Sequence, residues 1–365
     1  MRIRNFALLL CAISVLLCVA GCNGKKVDNK PKTFKVEHFD KSRGLASENI
    51  TGIAGIGNTI VAGSDKGLLL FDGVNWGIQC VKNNKIIGSD DIVSLQKYGG
   101  KIWIGTDNAA CSYDGMNFSS INYGSGRARA VIGNGTETAV ATARGVISNG
   151  RTISNSGGGL VSDEVTTLCF DNMGQLWVGT RAGISKIAGT FAANYTGPAK
   201  MVSGNSLMNV PASPSSCKLP GNYIKAMIPY RGMFAIGTTE GLCITDMTSF
   251  YENHTARHKE WAQVGGQIVD EFVSGNSKIP GNKIIALATT EQNELLFVAT
   301  DEGLGILKGS EWLNVSSLIP ELPSVSISSL AWHNGDLWIG TVDDGIYCVK
   351  ALAPLFETEK EASEN

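Results

Sequence analysis

A short apolar strand that ends in Gly-Thr, followed by a second tight Gly, returns along this chain about every 40 residues. The clearest copy is Leu176-Trp177-Val178-Gly179-Thr180, closed by Gly183. Ile102-Trp103-Ile104-Gly105-Thr106, Phe234-Ala235-Ile236-Gly237-Thr238 and Leu337-Trp338-Ile339-Gly340-Thr341 repeat it. Weaker copies start at Ile60, Thr138 and Leu296, which makes seven. A repeat of this length constrains the fold before any other property does, because one unit cannot bury its own faces and must stack on its neighbours.

A second motif runs in phase with the first. Examples are Gly159-Leu160-Val161-Ser162-Asp163-Glu164-Val165, Lys218-Leu219-Pro220-Gly221-Asn222-Tyr223-Ile224 and Lys278-Ile279-Pro280-Gly281-Asn282-Lys283-Ile284. From its closing apolar residue to the Gly of the Gly-Thr turn is 13 residues in most copies and 14 in one. β-rich starts such as Ile92-Val93-Ser94-Leu95 lead from this motif into the Trp-centred strand. A third strand and a shorter fourth follow, such as Gly67 to Phe71 and Trp76 to Val81. Four short strands per unit, with no helical period between them, describe a blade.

The pattern resembles the two-component-regulator propeller repeat: Leu-Pro/Ser-x-Asn-x-Val, Leu-Trp-Ile-Gly-Thr-x-x-Gly-Leu, then Tyr-Asp-Gly. Tyr113-Asp114-Gly115 and Phe71-Asp72-Gly73 match the last element. The resemblance spans roughly Phe34 to Lys350 and implies an all-β, seven-bladed β-propeller of four-stranded blades over 33–350. The third repeat departs from it: the Trp is gone and its first strand is doubtful. The seventh has a turn one residue longer, at Asp343-Asp344-Gly345. An open ring would leave two bare strand edges. Phe34 to Phe39 is an unclaimed strand and is expected to close the ring as the fourth strand of the last blade. Residues 351–365 are expected to be a disordered tail.

Two repeats are oversized. The extra chain lies within 188–217, rich in Pro, Ser and Gly, and within 248–277, partly helical in pattern. Long loops on a rigid scaffold often carry function; the plain alternative is surface decoration.

Residues 1–21 read as an export signal, with Arg2 and Arg4 before an apolar run too short for a comfortable membrane span. Val19-Ala20-Gly21-Cys22 resembles the lipobox of bacterial lipoproteins, which implies cleavage before Cys22 and acylation of that residue, with 22–32 as a polar tether. Asn23 in place of an Asp favours, by the same resemblance, an outer membrane in a Gram-negative source. Without the leader the chain holds 29 basic against 33 acidic residues, so no basic excess exists to follow a nucleic-acid backbone.

Catalytic patterns are sparse. The sequence holds no Gly-x-Ser-x-Gly and no phosphate loop. His254 and His258 would share a face if helical, a spacing that can bind zinc, but no third ligand is evident. No metal and no cofactor are implied. Six cysteines follow Cys22 without any Cys-x-x-Cys, and buried thiols suit them better than disulfides. The turn residues are expected to converge on one rim: Asp65, Asp107, Arg144, Arg181, Glu240, Asp301, Asp343 and Asp344. Arg144 and Arg181 come from adjacent repeats and could grip a carboxylate or phosphate; a solvated rim is the alternative.

These readings describe a membrane-anchored, monomeric propeller that binds a protein, peptide or glycan at its mouth without catalysis. Two other classes stay open. One is a lyase or hydrolase resembling streptogramin lyases, which would need a metal and convergent His and Glu side chains. The other is an extracytoplasmic sensor working with a separate kinase.

Overall fold

The computed structural model describes residues 34–203, 206–264, 267–313, 315–320, 322, 325–350 and 352. Seven four-stranded antiparallel sheets follow one another in chain order; six have their strands in sequence order from the inside out, and the seventh takes the N-terminal strand as its outermost. Blade one runs Ile50–Ile56, Thr59–Ser64, Gly67–Phe71 and Trp76–Gln79. The inner strands of blades two to seven are Ile92–Tyr98, Ala130–Gly133, Val165–Phe170, Ile224–Tyr230, Ile284–Thr289 and Ile327–His333. Each packs on the next around a central channel, and that of blade seven packs on that of blade one. This is the expected seven-bladed propeller. Helix among the described residues amounts to two 3-10 turns and the single turn Val315–Leu318.

The repeated motifs now have physical reasons. Second strands such as Leu176–Thr180 are buried along their whole length, because a neighbouring blade covers each face. The Gly of each Gly-Thr turn lies where the next blade begins. A Cβ on Gly179 would sit 2.8 Å from Ile224 Cγ2, and one on Gly237 2.4 Å from Ile284 Cγ2. The Thr hydroxyl closes the turn. In blade four, Thr180 Oγ1 donates to the Gly183 carbonyl at 2.9 Å and accepts from the Ala182 N–H at 3.0 Å. In four blades an Asn or Asp two residues before the inner strand ties down the connection arriving from the previous blade. Asp90, Asp163, Asn222 and Asn282 accept from the N–H groups of Val81, Asn155, Gly197 and Ala256 at 2.6–2.8 Å.

The N-terminal strand does close the ring. Val36–Phe39 pairs antiparallel with Ile346–Val349, Val36 opposite Val349 and Phe39 opposite Ile346. Phe39 is buried among Phe71, Trp76 and Trp338, with ring centroids 5.2–5.9 Å away. His333 adds a second clasp. Its ring lies over Gly55 of blade one, and its Nε2 is 2.9 Å from the Gly57 carbonyl oxygen. Beyond the last strand, Leu352 is buried and its N–H bonds the Gly335 carbonyl, so ordered packing extends into the stretch expected to fray. Residues 1–33 and 353–365, with the expected signal, tether and most of the tail, lie outside the described residues.

Blade three corrects one expectation. Its first strand is present as Ala130–Gly133, paired with Thr138–Thr142. It is only four residues long and ends in Gly133, and side chains from both neighbours meet across it. The Tyr98 and Phe170 rings approach to 5.5 Å, and Gln96 Nε2 donates to the Leu168 carbonyl at 3.0 Å. Trp103 of blade two leans onto Gly133, where a Cβ would meet it at 2.4 Å. The position of blade three's own missing Trp is Ala139, buried in one core with Trp103 and Phe170.

The two long segments are β-hairpins added to complete blades. The span 188–217 holds the fourth strand of blade four, Phe191–Tyr195, and then a hairpin, Ala199–Ser203 with Ser206–Val210. The span 248–277 holds the fourth strand of blade five, Tyr251–His254, and a hairpin, Arg257–Val264 with Gln267–Ser274. The helical reading of the second span is therefore wrong. Its two strands pair residue by residue, Arg257 opposite Ser274 and Val264 opposite Gln267.

Candidate ligand-binding face

Strand direction sorts the connections onto two faces. The Gly-Thr turns, the fourth-to-first connections and therefore both hairpins belong to one face, which opens onto the channel. The second hairpin is tied to the rim: Arg257 Nη2 reaches Glu302 Oε1 at 2.5 Å, and Asn282 bonds the Arg257 backbone.

The eight rim residues named from the sequence share this face but not one condition. Asp344 is taken up by the ring closure. Its Oδ2 accepts from the Tyr347 hydroxyl at 2.6 Å, and His38, stacked on Tyr347, lies 3.5 Å from its Oδ1. Asp65 accepts from Ser47 Oγ at 2.5 Å, and Asp107 pairs with Arg127 at 2.6 Å. Glu240 packs over Gly221, and desolvation raises its carboxyl above the ordinary range. Arg181 lies 3.5 Å from Glu164 and 5.2 Å over the ring of Tyr223. Asp301, Asp343 and Arg144 are exposed, and Arg144 has no side-chain partner among the described residues. By position in the ring the rim divides. Blades three and four present Arg144 and Arg181, while blades six, seven and one present Asp301, Asp343 and Asp65.

Below the rim is a feature that the sequence reading missed. Most inner strands begin with a β-bulge one residue after the motif's apolar closing position. In blade three the N–H groups show the same step, with Arg129 N–H bonding the Ala141 carbonyl that faces Ala130. The extra residues are Thr51, Val93 and Arg129 in the first three blades, then Thr166, Lys225, Ile285 and Ser328. All seven line a central cavity of about 270 Å³. Two are spent on the scaffold, since Thr51 donates to the Ile92 carbonyl and Thr166 to that of Ile224. Arg129 and Lys225 are the charged members. Alignment of the repeats on the closing apolar residue would have found them, because that column otherwise holds Thr, Val, Ile and Ser.

Other sequence candidates separate. His254 lies on the last strand of blade five, where Trp312 Nε1 donates to its Nδ1 at 3.3 Å, whereas His258 lies on the hairpin. The shared helical face does not exist. Among the described residues no three His, Cys, Asp or Glu groups are close enough to hold a metal ion. The described cysteines are free thiols; five are buried, Cys217 among them although it sits in a loop, and Cys80 is half-exposed. Burial pushes the thiols of Cys111 and Cys348 up to about 12. No helix among the described residues is long and apolar enough to cross a membrane.

Known proteins agree with this architecture. Residues 159–182 match the family described as two component regulator propeller. Two extracellular domains of proteins described as hybrid two component systems from B. thetaiotaomicron superpose with TM-scores of 0.59 and 0.61 at 17% and 16% identity. In each comparison 87% of this chain is covered, but only 42% and 39% of the other. Virginiamycin B lyase from Staphylococcus aureus superposes with a TM-score of 0.54 at 9% identity, over 87% of this chain and 99% of the enzyme. No curated protein matches in sequence. The fold is a β-propeller, and the family match covers one repeat of it. At these identities the likeness extends to the fold alone.

Proposed function

We propose that this protein is an exported, lipid-anchored monomeric propeller that binds a protein, peptide or glycan on the face carrying its Gly-Thr turns, without catalysing a reaction. The observation that carries this reading is the placement of the two hairpins. Both leave fourth-to-first connections, both belong to the face that opens on the channel, and they stand on successive blades. A rigid ring can present such elements while their sequence varies. The channel lining supports binding over chemistry: it contains Arg129, Lys225, the Gln96 amide, hydroxyls, Met227 and aliphatic side chains, and no His, Cys, Asp or Glu among the described residues. The rim set Asp65, Asp107, Arg144, Arg181, Glu240, Asp301 and Asp343 surrounds the entrance.

The test replaces 199–210 and 257–274 with tight turns, separately and together, and compares each protein with the parent on glycan and peptide arrays. Loss of a parental ligand in at least one shortened protein is expected, with the unfolding transition retained. Equal binding by all forms would move the site elsewhere. The anchor rests on Cys22, and Cys22→Ser is expected to shift the protein from the membrane to the soluble fraction. Retention in the membrane would remove the lipid from the account.

A second reading, a ligand sensor acting through a separate membrane kinase, draws support from the likeness to extracellular domains of hybrid two component systems. It differs in one outcome: only a sensor would change a kinase's phosphorylation when ligand is added to cells.

A further inference from the structure

We infer that the channel entrance is an oxyanion site, in which Arg129 and Lys225 take a carboxylate, sulfate or phosphate group beneath the rim. This rests on the binding reading above and assigns its ligand a chemical class. Arg129, Thr166 and Lys225 are the bulge residues of blades three, four and five. Two cations therefore flank one neutral residue at one level of the channel. The remaining bulge positions are uncharged.

The cations are unbalanced. No Asp or Glu is among the cavity's lining residues. Arg129 is half-buried, and among the described residues its guanidinium has no hydrogen-bond or ion-pair partner. Lys225 is also half-buried; among the described residues its ammonium has no hydrogen-bond or ion-pair partner and lies 5.2 Å over the ring of Tyr223. Charges withdrawn from water are ordinarily paired, because desolvation is costly otherwise. A guanidinium presents a planar fork of donors that matches an oxyanion, and an ammonium adds a point charge beside it. The same Tyr223 ring lies 5.2 Å from Arg181, so one aromatic side chain braces a cation of the channel and a cation of the rim. In blade seven the Ser328 hydroxyl is buried without a hydrogen-bond partner among the described residues and adds a neutral donor to the ring.

Size and field narrow the ligand. About 270 Å³ lies below the roughly 300–1,000 Å³ of sites for drug-sized molecules. The channel therefore admits a free oxyanion or one acidic substituent, while the body of a larger ligand stays at the rim. Arg144 and Arg181 mark the approach, and Asp301, Asp343 and Asp65 stand across the entrance. Such a divided field draws an anionic group toward blades three to five.

The experiment titrates the mature protein, at constant ionic strength, with sulfate, phosphate, glucuronate and glucose, followed by calorimetry. At least one of the three anions should bind and glucose should not. The double variant R129Q/K225Q should lose at least tenfold in affinity, and K101Q, an exposed cation at the start of a second strand on the opposite face, should leave it unchanged. Glucuronate that competes with sulfate or phosphate identifies a sugar-borne acid as an acceptable source; anion binding without such competition identifies a free ion. If the double variant fails to fold, acetylation of Lys225 in the parent protein replaces it, and a bound anion should protect that amine. Absence of anion binding, equal binding of glucose, unchanged affinity in the folded double variant, or Lys225 acetylated equally with and without anion overturns the site. The hairpin-shortened proteins should keep anion binding, so failure of this site and failure of the hairpin reading are read separately.

Discussion

The seam between blades seven and one and the sector of blades three to five are built from the same repeat, yet they use their polar residues in opposite ways. At the seam, turn-face groups are engaged in closure. Asp344 holds Tyr347 and His38, Asp65 accepts from Ser47, and Glu48 pairs with Lys41 at 2.8 Å. Beneath them Phe39, Phe71, Trp76 and Trp338 form one aromatic cluster. In the other sector Arg144 and Arg129 have no partners among the described residues, and Lys225 and Arg181 share one tyrosine ring. Equivalent positions in a repeat thus have different duties. A closed ring needs one place where chain ends are locked, and it leaves other blades free to present unpaired charge.

The largest expected effect tests the seam. Removing 34–39 strips the fourth strand from blade seven and the side chains of Phe34, Val36 and Phe39 from its core, each worth roughly 1.5–3 kcal/mol when fully buried. Calorimetry should show loss of the single cooperative transition. Alkylation should then reach Cys348, whose strand becomes an edge, and leave Cys217 protected. A truncated protein that unfolds as the parent does would show that closure lies elsewhere.

Smaller changes sharpen the contrast. Phe39→Ala should cost about 3–5 kcal/mol in denaturant unfolding, by cavity formation. Arg144→Gln and Arg129→Gln should each change stability by no more than about 0.5 kcal/mol, because neither loses a partner. A cost for Arg129 comparable to that for Phe39 would make the sector structural and end the comparison.

The smallest effect is one of pH. Burial against blade one lowers the pKa of His333 below its usual value of 6.5, with the Gly57 carbonyl opposing the shift. Lys97 adds to it, and Glu291 and Asp336 oppose it. The unfolded chain therefore takes up the proton first. Stability is fully present above about pH 6.5 and is lost as pH falls through the range between the two pKa values. His254, lowered by burial near Glu252, acts in the same direction. The thermal midpoint should fall between pH 7.5 and 5, and less so in His333→Asn. An equal fall in that variant would assign the effect to other groups.

The chain by itself determined the number of blades, the four-strand unit and the closing strand, because phase-locked Gly-Thr and Asn motifs record local needs. A Thr that bonds the carbonyl three residues on acts within one turn, and an Asn that caps an incoming loop stands at a fixed place before its own strand, so both leave a period in the sequence. The convergence of turn residues on one face follows from the same alternation of strand direction. Three things were decided only in three dimensions. Blade three keeps its strand because Tyr98 and Phe170, 72 residues apart, meet across it. The second insert is a hairpin and not a helix, which its weak polarity pattern did not distinguish. Arg129 and Lys225 face a common channel because each inner strand bulges at one step, and a bulge turns a side chain without changing its residue type. Which charges were free and which were locked into the closure also depended on partners from distant blades, and a repeat pattern carries no record of those.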